Sequence, residues 1–169
     1  MKHFGKKVEF DGYNFDSVKE KNFYERFIKS SGRNYKVHPT YQLLDKFSVG
    51  GYTMRGLSYT PDFVVYEAGE IAHVYDVKTS VDMKAIDVGA KIRFILFAYR
   101  YRIPVEVVVP RKNDFKMKLL SFSNTRIQQA HAQHDRKGNV KTYKNGHVKY
   151  AYYDVHKNVD YDIHDTIGF

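Results

Sequence analysis

The 169-residue chain has no cysteine, no tryptophan and only 4 prolines. Without cysteine it can form no disulfide, no thiolate metal site and no cysteine nucleophile, so its chemistry must come from oxygen and nitrogen groups. No run of about 18 apolar residues occurs, so no membrane-spanning helix is expected. The opening residues Met1 to Lys7 lead into no apolar segment of the signal-peptide kind, and the expected compartment is the cytoplasm. Negative charge is also scarce, with 19 Asp and Glu against 28 Lys and Arg, a net of +9.

What is abundant is cation and aromatic ring. Residues 84–149 hold 15 Lys and Arg and 4 Asp and Glu, a net of +11, while the remainder nets −2. A positive field confined to one half attracts a polyanion. The chain also carries 15 Tyr and 12 Phe, and rings beside cations can stack on unpaired bases. Nucleic acid is the expected partner.

Val8–Phe10 and Tyr13–Phe15 around Asp11-Gly12 read as a hairpin, because Asp-Gly supports a tight turn. Ser17 and Glu20 match a capping box, and Phe23, Tyr24, Phe27 and Ile28 continue a helix over 17–29 that Ser30-Ser31-Gly32 ends. Residues 35–44 alternate as one strand with a bend at Pro39. Residues 45–58, with Gly50, Gly51 and Gly56, read as a flexible loop. Strands over 59–66 and 71–78 form an antiparallel hairpin. Residues 85–101 read as a mostly buried helix stopped before Pro104, and 105–109 as an apolar run, hence a buried strand. The tail predicts a polar helix over 123–134 and a hairpin over 140–153 turning at Asn145-Gly146. Asp160, Asp162 and His164 would share one face of a strand. No internal repeat is evident. The fold class is mixed α/β: a mixed sheet flanked by helices with a basic C-terminal extension.

The chemistry concentrates at residues 60–78. Asp62 follows a proline that opens a strand. Asp76 and Lys78 are two apart in the next strand and so share a face. Ala72, Val74, Asp76 and Lys78 make an otherwise apolar row that ends in two charges, with Asp62 across the hairpin. Two carboxylates there suit a hard divalent cation, Mg²⁺ or Mn²⁺, with the Val77 carbonyl as a further oxygen. Lys78 would orient or help deprotonate a water and offset charge growing on a phosphate. The competing account is a plain Asp76–Lys78 salt bridge.

Pro61-Asp62 and Asp76-Val77-Lys78, with 13 residues between the acids, resemble the signature of the PD-(D/E)XK nuclease superfamily. The order helix, three strands, helix, strand is similar to its αβββαβ restriction-endonuclease-like core, over about residues 8–110. The resemblance implies a nuclease core at residues 1–112 and an extension of the same domain at 113–169. Phe15-Asp16-Ser17-Val18-Lys19-Glu20 resembles the start of the first helix in small phage, transposon and junction-resolving members. That points to Glu20 as a further metal-binding acid. At about 100° per residue the apolar positions of the helix centre on Glu20, where a carboxylate needs a cation. Glu25 lies off that stripe. The resemblance further implies basic groups that hold the scissile phosphate, with Lys84, Lys91 and Arg93 as candidates; Arg55 is a candidate for DNA backbone contact. The implied protein is a Mg²⁺-dependent deoxyribonuclease, structure-selective on branched DNA, possible as a homodimer and as a phage product acting in the host cytoplasm. The alternative is a non-catalytic nucleic-acid-binding accessory protein on the same fold.

Overall fold

A computed structural model describes residues 7–120 and 131–167. The order is β1 (Val8–Phe10), β2 (Tyr13–Phe15), α1 (Val18–Phe23), β3 (Asn34–Val37), β4 (Tyr41–Leu44), β5 (Phe47–Val49), β6 (Tyr52–Met54), β7 (Leu57–Tyr59), β8 (Phe63–Glu67) and β9 (Glu70–Val77). There follow α2 (Val88–Tyr101), β10 (Glu106–Pro110), β11 (Phe115–Leu119), β12 (His131–Ala132), β13 (Tyr150–Ala151), β14 (Asp154–His156) and α3 (Ile163–Ile167). The architecture is mixed α+β. Its centre is a mixed sheet of six strands in the order β14-β11-β10-β9-β8-β3, with β9 and β10 parallel and the other neighbours antiparallel.

One helix packs on this sheet, and a second on the separate β4–β7 pair. α1 runs on as a π-helix over Tyr24–Ile28 and a 3₁₀ turn over Lys29–Ser31, and stops at Gly32, φ 69°. Its Phe23 packs 5.9 Å from Phe63, 5.2 Å from Tyr75 and 5.1 Å from Phe115 between ring centres. Phe63 pairs with Tyr75 in the β8–β9 register, so α1 covers that face. α2 starts at Asp87, whose carboxylate caps Gly89 and Ala90, and packs Phe94 and Phe97 on Tyr59. Such ring burial supplies most of the stabilisation, about 25 cal/mol per Å² of apolar surface removed from water.

Residues 35–67 form one long hairpin, nested and twice interrupted: β3 pairs with β8, β4 with β7 and β5 with β6. The expected loop at 45–58 is thus corrected. Gly50 and Gly51, at φ 55° and 78°, make the tight turn that joins β5 and β6, while the alternation of Phe47-Ser48-Val49 and Tyr52-Thr53-Met54 supplies the strands. The expected single strands at 35–44 and 59–66 are each broken at a proline. Val37 pairs with Phe63 and Tyr41 with Tyr59, so the register places Pro39 opposite Pro61. Neither proline can donate to the ladder, and the hairpin parts there.

The apolar run at 105–109 contains one exception, Glu106, which is fully buried. Its carboxylate takes His73 Nδ1 at 3.0 Å and the Tyr161 hydroxyl at 2.5 Å, and the Tyr75 hydroxyl lies 2.8 Å from that of Tyr161. Burial, and then Glu106, push both phenols well above the usual tyrosine range, so both remain hydrogen donors.

In the tail, the predicted helix at 123–134 falls mostly outside the described residues, and its last part, His131–Ala132, is strand. The turn at Asn145-Gly146 is present, with Tyr143 N donating to the His147 carbonyl at 2.8 Å. Asp160, Asp162 and His164 do not share a strand. Asp162 instead precedes α3 and accepts from the His164 N–H at 2.7 Å. Among the described residues, no helix is long and apolar enough to cross a membrane.

Candidate metal centre

The gap in the hairpin at its two prolines is where the charged groups gather. Asp62 adjoins Pro61, and the register that pairs Phe63 with Tyr75 puts Asp62 across from Asp76. Both carboxylates are therefore on the sheet face opposite Tyr75. Asp62 Oδ2 accepts the Val77 N–H at 2.6 Å, and the Asp62 carbonyl accepts the His38 N–H at 3.0 Å. Asp76, only 5 % exposed, accepts the Tyr59 hydroxyl at 2.8 Å and pairs through its other oxygen with the Lys78 ammonium. Lys78 extends the parallel ladder beyond β9, its N–H on the Val108 carbonyl at 2.9 Å.

Glu20 enters from α1. It is 3 % exposed, and its side chain accepts the Asp16 N–H at 2.9 Å while its own N–H caps on Ser17 Oγ at 3.2 Å. The capping box thus closes on Asp16 rather than on Ser17 itself. The other Glu20 oxygen meets His38 Nε2 at 2.5 Å. Glu25, in contrast, is exposed and pairs with Lys21. Among the described residues, Glu20, His38 and Asp62 form the group of three whose ligand atoms lie within 4.8 Å of one another. Asp76 stands beside this group, outside that limit, with Lys78.

The electrostatics are those of crowded carboxylates. Burial, then Asp76, then Glu20 push Asp62 well above the usual carboxylate range, opposed by Lys78 and the Val77 N–H. Burial depresses the Lys78 ammonium, but Asp76, Asp62 and Glu20 outweigh it and leave its pKa raised. Tyr59 is pushed up by burial and then by Asp76. The donor set is mostly oxygen and anionic, which fits a hard divalent cation. His38, engaged on Glu20, orients that carboxylate.

Of the expected residues, Glu20, Asp62, Asp76 and Lys78 converge, and Val77 joins them through its N–H. Arg55 is exposed after β6, and Lys84 is exposed in the 3₁₀ turn Met83–Ala85. Lys91 donates to the Met83 carbonyl at 3.2 Å, tying that turn to α2, and Arg93 is half-buried. Two residues of the site escaped the sequence reading, His38 and Tyr59. The signal was there: Pro39 and Pro61 lie nearly equidistant from Gly50-Gly51, so a hairpin closed at those glycines sets their neighbours face to face. His38 has φ 50°, a left-handed backbone that is strained at about 1–3 kcal/mol and worth a functional reading.

Fold and site together define a mixed α+β protein with a buried cluster of carboxylates, a histidine and a lysine. The chain belongs to the family described as Protein of unknown function (DUF1064), matched over residues 1–116, which contain the whole cluster. No curated protein and no solved structure matches it.

The crowding has a thermodynamic consequence. A group with a raised folded-state pKa favours the fold below its unfolded pKa and loses that contribution as pH rises through the folded value. Asp62→Asn keeps an acceptor for the Val77 N–H and removes the charge. In chelator the variant will melt higher than the parent at neutral pH, by about 2–4 °C per kcal/mol, and the gap will close as pH falls. Thermal unfolding between acid and neutral pH reads this; a lower-melting variant at neutral pH would contradict the assigned repulsion.

Proposed function

We propose that the protein is a metal-dependent endonuclease that hydrolyses DNA phosphodiester bonds, of the PD-(D/E)XK type with a restriction-endonuclease-like core. The observation that carries this reading is the convergence of Asp62, Asp76 and Glu20 from three backbone segments, with the Lys78 ammonium beside them. The order α1, β3, β8, β9, α2, β10 accords with it. Glu20, Asp62 and Asp76 are the residues to hold Mg²⁺ or Mn²⁺, with the Val77 carbonyl as a further ligand. When bound, such a cation supplies Lewis-acid stabilisation of phosphate charge and a more acidic water.

The chain's own groups do the rest. Tyr59 holds one Asp76 oxygen and Val77 N–H one Asp62 oxygen, so both carboxylates are oriented before any ligand arrives. Lys78, kept protonated by its neighbours, acts as a fixed positive charge for a phosphate rather than as a base. Lys84, Lys91 and Arg93 of the basic half, with Arg55 from the β6–β7 turn, grip DNA backbone, which gives affinity and register without reading sequence. Structure-selective cutting by a homodimer, two sites for two strands, in the cytoplasm of a cell or of a phage's host, completes the reading.

The test is plasmid nicking with Mg²⁺, with chelator, and with Asp76→Ala, followed by linear duplex, single-strand, flap and four-way-junction substrates. Cutting that needs Mg²⁺ and vanishes in the variant supports the reading. Equal background from both proteins returns the chain to a non-catalytic DNA-binding role.

A further inference from the structure

Residues 133–148 consist of two eight-residue units. Gln133-His134-Asp135-Arg136-Lys137-Gly138-Asn139-Val140 is followed by Lys141-Thr142-Tyr143-Lys144-Asn145-Gly146-His147-Val148, and Lys149-Tyr150 begins a third. The sequence reading found no repeat, but the backbone has one. Gly138 and Gly146 sit at φ 88° and 84°. Asp135 N donates to the Asn139 carbonyl at 2.9 Å and Tyr143 N to that of His147 at 2.8 Å. The three segments close on one another through a ring of bonds: Lys141 N to Gln133 O at 2.8 Å, Lys149 N to Lys141 O at 2.8 Å and Gln133 N to Lys149 O at 2.7 Å.

Three short segments that each bond to the other two leave little interior. Ala151 is the only residue of 132–153 that is buried. The aromatic side chains therefore turn outward: Tyr143, Tyr150 and Tyr152 are 57 %, 49 % and 57 % exposed. They are interleaved with cations, and Lys149 Nζ lies 5.0 Å from the centre of the Tyr143 ring. Residues 132–153 hold 5 Lys and Arg against a single Asp, a net of +4. A solvated face made for solubility would carry mixed charge, and a face made for a second copy of itself would not repel its partner. Exposed rings among lysines match unpaired nucleotides, whose bases have free faces and whose phosphates are close by. Bases inside a duplex are already stacked and give these rings nothing to cover.

We propose that this module, which lies beyond the family match, is a stacking platform for unpaired DNA. Bases lie on Tyr143, Tyr150 and Tyr152, and phosphates meet Lys141, Lys144 and Lys149. It rests on the nuclease reading for DNA as the substrate, and it supplies that reading with a reason to favour branched over continuous duplex. The site for cutting is in the core and the site for unpaired strand is on the extension.

The experiment is fluorescence anisotropy of the full chain in chelator, where no cutting occurs. The probes are an oligothymidylate of about 16 nucleotides, one site's length, a duplex of equal length, an oligouridylate and polyglutamate. Tyr143→Ala with Tyr150→Ala will weaken oligothymidylate binding by about 30-fold or more, from about 1–3 kcal/mol per stacked base, and duplex binding by less than about threefold. Tyr143→Phe with Tyr150→Phe will bind as the parent does. Because the chain has no tryptophan, its tyrosine fluorescence also reports the contact, and oligothymidylate will quench it in the parent. That second readout stands even if the alanine variant fails to fold. Equal losses on single strand and duplex, no quenching, or a preference for oligouridylate or polyglutamate would overturn the platform. Stacking without any cutting elsewhere would overturn the nuclease reading alone; cutting with tyrosine-independent binding would overturn the platform alone.

Discussion

For the proposed nuclease, Lys78→Ala will slow Mg²⁺-dependent DNA cleavage by about 10³-fold, roughly 4 kcal/mol of transition-state stabilisation, and will leave divalent-cation binding intact. The ammonium is paired with Asp76 and lies in the field of Asp62 and Glu20. Removing it takes a positive charge away from a phosphate that gains negative charge in the transition state. It takes no ligand away from a cation, and it relieves a competitor for Asp76. Metal titration by calorimetry will therefore give equal or tighter binding while the cleavage rate collapses. The same change will lower the melting temperature in chelator, because three carboxylates are left without a countercharge, and Mg²⁺ will restore it. The sign is that of a raised lysine: the pairing contributes below the unfolded pKa and is lost only as pH passes the folded value, so it is complete at neutral pH. An unchanged cleavage rate would remove Lys78 from the chemistry.

Glu106→Ala will destabilise the fold by about 3–5 kcal/mol, a fall in melting temperature of roughly 6–20 °C for a chain of this size. Glu106 sits in the middle of the sheet and is bound by His73, by the Tyr161 hydroxyl and, at 3.3 Å, by the Val74 N–H. Its loss strands all three donors in a dry interior, where each unmade bond costs about 1–3 kcal/mol. Glu106→Gln keeps one carbonyl acceptor and will cost about half as much. Glu106 lies across from Tyr75 in the β9–β10 register, on the face away from Asp76, so folded variant molecules will keep their cleavage rate at low temperature. Urea unfolding with activity measured per folded molecule separates the two effects. Equal costs for Ala and Gln would show that the negative charge, rather than the bonds, holds this network together.

Local rules carried far where the signal was short-range. Asp11-Gly12, Glu67 to Glu70 and Asn145-Gly146 turn as their residues demand, because a positive φ is decided by adjacent atoms. Glu20 was placed inside by the helical period of Phe23, Tyr24, Phe27 and Ile28, and it is inside. The reading of 45–58 failed because glycine marks both loops and tight hairpin turns, and only the cross-strand pairs of Phe47 with Met54 and Val49 with Tyr52 tell them apart. Phe115–Leu119 alternates Phe, Lys, Met, Lys, Leu with Phe115 and Met117 buried, a period-two pattern that builds β11. Glu106 is hidden within a valine run, since nothing local shows that His73, 33 residues earlier, will meet it.

By itself, the order of residues determined the alternation that sets Asp76 and Lys78 on one side of a strand, the helical face of Glu20, and the concentration of cations in the second half. Those depend on periods of two and 3.6 residues and on simple counting. Tertiary structure alone decided that His38 would clasp Glu20, that Tyr59 would hold Asp76, and that the carboxylates would crowd until Asp62 resists ionisation. These follow from two prolines meeting across a ladder and from water leaving the space between strands, and both arise only when distant segments pack together.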